Sequence, residues 1–113
     1  MRLGWAGWDG GITSNRGLDA KCMENIQGAL AAGLHVGVYV YSYCLTPDAA
    51  RKAAMEALDL VKPYTLSSPI AFDIEDTSDT GVRYDKMAKE NNTSITKAFL
   101  DAIQQAGHPS ILY

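Results

Sequence analysis

The residues in this sequence best suited to chemistry are Asp73 and Glu75, two carboxylates one residue apart in PIAFDIEDTSD, residues 69–79. In a strand, alternate side chains share a face, so Asp73 and Glu75 point one way with Ala71 while Phe72 and Ile74 point the other. Positions i and i+2 lie about 6.6–7 Å apart along the strand. Carboxyl groups at that spacing, in a partly dehydrated cleft, push their pKa values apart, so that one holds a proton at neutral pH and the other stays ionised. Glycoside cleavage uses that division. One acid protonates the leaving oxygen, and a second carboxylate stabilises the positive charge developing at the sugar carbon or orients a group that does. The local pattern also allows a solvated strand end, a cap for the following segment, or a divalent-cation site with Asp76 and Asp79. The calcium-loop spacing D-x-[DN]-x-[DN]-G is not met.

The elements that must position this pair are legible from period and punctuation. LDAKCMENIQGALAAG carries apolar residues at three- and four-residue steps and predicts a helix over about 19–32, with Gly33 at the C-cap. TPDAARKAAMEALDLVKP predicts a second, capped by Thr46, started by Pro47 and stopped by Pro63. SITKAFLDAIQQAG predicts a third, starting somewhere in 88–94 and stopped by Gly107. Between them lie β-branched and aromatic runs: MRLGWA, VGVYVYSY (36–43), PIAFDIE (69–75) and SILY (110–113). Strands alternating with helices make the class α/β, with about four parallel strands and three intervening helices. Covering helices on the Phe72 and Ile74 side leave the acids on the other side, at the C-terminal strand ends where α/β proteins place their sites.

Composition narrows the partners. The 113 residues are 47% hydrophobic with a net charge of −3 and scattered Lys and Arg, which argues against nucleic acid. No run approaches the roughly 20 apolar residues of a membrane span, and MRLGWAGWDG has neither the basic start nor the apolar centre of a signal peptide. Cys22 and Cys44 lack metal-ligand spacing and read as buried thiols, so neither a metal nor another cofactor is expected. The chain opens and closes inside apparent strands. Residues 1–113 are therefore expected to form one fragment of a larger sheet, leaving two unpaired edges through which copies could self-associate.

AFDIED, preceded by AAGLHVGVYVYSYCLTPDAARKAA and followed by KAFLDAIQQAGHPSILY, resembles family 25 glycoside hydrolases, the peptidoglycan-cleaving lysozymes or N-acetylmuramidases. The resemblance runs over essentially the whole chain in matching order, from the second to the fifth strand of the family's modified (β/α) barrel. It implies a groove for the peptidoglycan glycan strand, Glu75 as proton donor and Asp73 as its electrostatic or acetamido-orienting partner. It further implies hydrolysis of the β-1,4 bond between N-acetylmuramic acid and N-acetylglucosamine, and an extracellular or cell-wall location. Family members carry a further strand and helix before RLGW, with an active-site aspartate, and more strands after ILY.

Other residues suit a sugar groove. Tyr39, Tyr41 and Tyr43 alternate on one strand, and their rings and hydroxyls fit a saccharide's apolar face and hydroxyl edge, although aromatic strand packing accounts for Tyr41 equally and for Tyr39 and Tyr43 better. Trp5 and Trp8 sit in GWAGWDGG, which lacks the lysine and spacing of a phosphate-binding loop and could line the groove. Tyr39, Tyr41, Trp5 and Asp76 are the expected substrate contacts. His35 and His108 read as helix-to-strand turn residues.

Overall fold

A computed structural model describes residues 1–76 and 84–113. The elements are β1 (Arg2–Ala6), α1 (Cys22–Ala31), β2 (Val38–Ser42), α2 (Pro47–Val61), β3 (Ile70–Asp73), α3 (Lys89–Gln105) and β4 (Ser110–Leu112), with a 3₁₀ turn at Tyr84–Lys86. All four strands are parallel and lie in sequence order, β1-β2-β3-β4. Right-handed crossovers that keep stepping in one direction put the helices on one face, because nothing reverses the winding. This is the winding of a (β/α) barrel, here an open arc.

Local chemistry sets the helix ends. Thr46 is extended and its Oγ1 accepts the Ala49 N–H at 3.1 Å, with Pro47 at the first helical position of α2. α1 and α3 end alike: Gly33 and Gly107, at φ 75° and 87°, donate to Leu30 O and Gln104 O. The following Leu34 and His108 N–H groups reach back to Ala29 O and Ile103 O, completing the left-handed glycine cap at each end. α1 starts three residues later than its period suggests. The Asp19 carboxylate accepts the Lys21 N–H at 3.0 Å and Arg2 Nη2 at 2.8 Å, which holds residues 19–21 in a turn.

The core lies between sheet and helices. Val38, Val40, Ile70 and Phe72 project from the strands into it, and the Phe72 ring stacks on Phe99 of α3 with centroids 4.3 Å apart. The stripe Ala50, Ala53, Ala54 and Ala57, all fully buried, lets α2 sit close to its neighbours. Burying a side chain such as Phe72 contributes about 1.5–3 kcal/mol. Cys22 and Cys44 are buried free thiols, and burial raises the pKa of each.

Strand register decides what the opposite face carries. A bulge between Arg2 and Gly4 puts both Arg2 and Trp5 beside the open-face residues Tyr39 and Tyr41 of β2, and the Arg2 guanidinium lies 4.1 Å from the Trp5 ring centroid. Of the two expected unpaired edges, the outer edge of β4 pairs with no described residue, and at β1 the expectation is corrected. The chain after β1 folds back along it, with Trp5 N–H donating to Gly17 O at 2.8 Å, Asp19 N–H to Leu3 O at 2.9 Å, and an antiparallel bridge between Gly4 and Leu18.

Candidate active site

Asp73 closes β3 and Glu75 lies two residues on, past the last ladder pair. Tyr41 is opposite Asp73 on β2. On the other side Tyr113 N–H donates to Phe72 O at 2.9 Å and Ile74 N–H to Tyr113 O at 3.2 Å, which puts Tyr113 beside Asp73. Asp73 and Glu75 line a single hollow of about 440 Å³ with Tyr39, Ala71, Ile111 and Tyr113. The two acids therefore share the sheet face that the helices leave uncovered, as the period of two requires. Behind them the strand end is braced from the helix side. The buried Tyr84 hydroxyl sits 3.1 Å from Ser42 Oγ and 3.1 and 3.0 Å from Ser42 O and Cys44 O, while Ser42 Oγ accepts the Cys44 N–H at 3.1 Å. Burial pushes the Tyr84 phenol well above its ordinary pKa, so it stays a neutral donor.

The electrostatics of the pair follow from unequal burial. Asp73 is only 5% exposed, whereas Glu75 is open to solvent. Asp73 has its pKa pushed up from 3.8 to about 6, first by burial, then by its side-chain hydrogen bond to Glu75 and by that residue's charge. A hydrogen bond between two carboxyl groups requires a proton on one of them. Asp73 therefore holds its proton to higher pH than an ordinary aspartate does. Asp73 Oδ1 is buried with no hydrogen-bond partner among the described residues, an acceptor held ready inside the hollow.

The family model for glycosyl hydrolases family 25 matches residues 13–113. The chain belongs to that family. Two solved structures of the modular autolysin LytC from Streptococcus pneumoniae, one in complex with a synthetic peptidoglycan ligand, are similar to this family 25 chain at 26% identity and a TM-score of 0.79. Each match covers 99% of this chain and 25% of the other, so the chain spans about a quarter of the length of these neighbours. No curated protein sequence matches it. The four parallel strands and three helices match a partial family 25 barrel.

The remaining expected contacts of the family 25 chain fall in different places. Tyr39 joins the acids in the hollow. Tyr41 stands beside Asp73 with its ring edge-on to Tyr43, centroids 5.3 Å apart. Trp5 lies one strand further out, in a separate hollow with Tyr43, Asn15 and Arg16. Asp76 lines neither. It borders a larger groove of about 760 Å³ with Ile74, Tyr84 and the α3 residues Lys89, Asn92 and Lys97. Asp79, the other partner in the cation reading, lies outside the described residues. Among the described residues no group of three His, Cys, Asp or Glu side chains is placed to hold a metal ion.

Sequence reasoning missed Tyr113, whose place follows once β4 is put in register with the acidic strand, since Ile111 opposite Ala71 sets the next open-face position. It also missed Glu56 of α2, whose Oε2 accepts the Ile12 and Thr13 N–H groups at 2.8 and 3.0 Å and fixes the loop after β1. No local pattern marks a carboxylate whose partners lie more than 40 residues away.

Proposed function

We propose that this chain carries the catalytic dyad of a muramidase that hydrolyses the β-1,4 bond between N-acetylmuramic acid and N-acetylglucosamine in peptidoglycan. Glu75 acts as general acid and then base, and Asp73 orients the substrate's acetamido group. The observation that carries this reading is the Asp73–Glu75 pair lining one hollow of the open face, with a buried Asp73 oxygen that has no hydrogen-bond partner among the described residues. An acetamido N–H donated to Asp73 Oδ1 favours the ionised form of Asp73, and the shared proton then resides on Glu75. Glu75 gives that proton to the glycosidic oxygen as the acetamido carbonyl oxygen closes on the sugar carbon. Water, deprotonated by Glu75, opens the resulting ring, which restores the acid. Tyr39 and Tyr113 provide the aromatic walls against which the sugar lies.

Family membership supports this assignment, as does the similarity to an autolysin solved with a peptidoglycan ligand. Action on peptidoglycan implies a place outside the cell membrane or in the wall. Among the described residues no helix is long and apolar enough to cross a membrane. The test is incubation of the protein with purified peptidoglycan and analysis of the new reducing ends. Ends on N-acetylmuramic acid, lost in Glu75→Gln, support the proposal; ends on N-acetylglucosamine, or release undiminished in the variant, reject it.

A second reading, a non-catalytic glycan-binding arc that self-assembles, is favoured by one observation. Ile111, Leu112 and Tyr113 are 50%, 48% and 77% exposed along the outermost strand, whose outer edge pairs with no described residue. Sedimentation showing a dimer that Ile111→Lys dissociates supports it, and a monomer at all concentrations rejects it.

A further inference from the structure

A second aromatic hollow lies further along the open face, away from the acids. Trp8 is 62% exposed, an unusual state for a tryptophan on a loop this firmly held. Gly7 N–H donates to Gly11 O and Gly10 N–H to Gly7 O, both at 2.9 Å. The Asp9 carboxylate accepts the Gly11 N–H at 2.9 Å, Asn15 Nδ2 at 2.8 Å and Lys52 Nζ at 3.2 Å, and the Glu56 carboxylate anchors the next turn. Gly10, at φ 87°, packs so tightly on α2 that a Cβ there would fall 1.8 Å from Ala49 O. Arg16, at φ 56°, is the one described residue other than glycine with a positive φ, so the same loop also stores backbone strain.

Trp8, Asp9, Asn15 and Tyr43 line a hollow of about 340 Å³, and Trp5, Asn15, Arg16 and Tyr43 line a second of about 250 Å³. Tyr43 belongs to both. Its ring meets Tyr41 edge-on, and Tyr41 stands opposite Asp73. Tyr43 is two positions beyond Tyr41, just past the end of β2 and about 6.6–7 Å further along the chain, and Trp8 lies further out still, its carbonyl oxygen accepting the Leu45 N–H at 3.4 Å.

We propose that Trp8 and Tyr43 form a distal saccharide subsite, which takes a ring of the same N-acetylated glycan strand beyond the bond cut at Asp73 and Glu75. The proposal rests on the muramidase reading. The indole face stacks on the apolar C–H face of a sugar, and the carboxylate of Asp9 accepts from its hydroxyl edge. A rigid loop presents that surface without first being ordered, which lowers the cost of binding. The subsite makes affinity depend on glycan length.

The two tryptophans give two indole N–H signals in an NMR spectrum of the isotope-labelled protein, assigned with Trp5→Phe and Trp8→Phe. The probes are β-1,4-linked oligomers of N-acetylglucosamine, two and six rings long. The hexamer is expected to bind about tenfold more tightly than the dimer and to shift the Trp8 signal. Trp8→Ala removes most of the length gain and leaves dimer binding unchanged, while Trp8→Phe keeps most of it. Hexamer binding that leaves the Trp8 signal in place, or a length gain that survives Trp8→Ala, overturns the subsite and leaves the dyad assignment standing. If neither oligomer binds, the subsite and the muramidase reading fall together.

Discussion

The two faces of the sheet are built from alternate residues of the same strands and have opposite characters. On β2 the sequence VYVYS places Val38, Val40 and Ser42 under the helices and Tyr39 and Tyr41 on the open side. On β3, Ile70 and Phe72 are buried in the core, whereas Ala71 and Asp73 line the hollow. The covered face is apolar and closely packed, and its buried Ser42 and Tyr84 hydroxyls are satisfied by each other, by the Cys44 N–H and by the Ser42 and Cys44 carbonyls. The open face holds an acid with a raised pKa and an oxygen that has no hydrogen-bond partner among the described residues. Packing is concentrated on one side, and on the other stands a carboxylate whose ionised form burial disfavours.

Substitutions on the two faces are therefore expected to separate activity from stability. Glu75→Gln should lower hydrolysis by about 10²–10⁴-fold and leave the melting temperature nearly unchanged, as reducing-end assays and calorimetry would show. Phe72→Ala, immediately before Asp73 but on the covered face, should cost about 3–5 kcal/mol in urea unfolding by removing the stacked partner of Phe99. Equal loss of stability from both would erase the contrast.

Asp73→Asn should act in the opposite direction. Folding raises the Asp73 pKa from 3.8 to about 6, so the folded chain binds this proton more tightly than the unfolded one. Stability is then greatest below pH 3.8, falls as pH climbs from 3.8 to about 6, and stays reduced above that. The variant should gain on the order of 1–3 kcal/mol at pH 7 and almost nothing at pH 3, while losing activity. A gain that does not depend on pH would mean that the ionised carboxylate is not what destabilises the fold. The smallest effect concerns the frame alone: Thr46→Ala should cost about 1 kcal/mol by removing the α2 cap, with activity at moderate temperature preserved.

Periodic features of the fold were the most legible. The stripe of α2, its Thr46-Pro47 start and the glycines at 33 and 107 each report a local constraint, and each appears in the structure within a residue or two. The period of two also placed Asp73, Glu75 and Phe72 on their faces without any tertiary information. What stayed hidden depends on contacts between distant segments. The return of residues 17–19 along β1, the Glu56 anchor and the Tyr84 brace all join segments well apart in the chain. Asp76 shows the complementary limit: sequence adjacency to Glu75 does not keep it in the same hollow once the strand has ended.

The most direct test of the central claim is an NMR titration of the Asp73 side-chain carboxyl carbon, in the protein and in Glu75→Gln. A midpoint near pH 6 that falls in the variant but stays above 3.8, because burial remains while the neighbouring charge is gone, is the predicted result. A midpoint near 4 in both proteins would mean that the two acids share no proton, and the assignment of Asp73 and Glu75 as a catalytic dyad would be wrong.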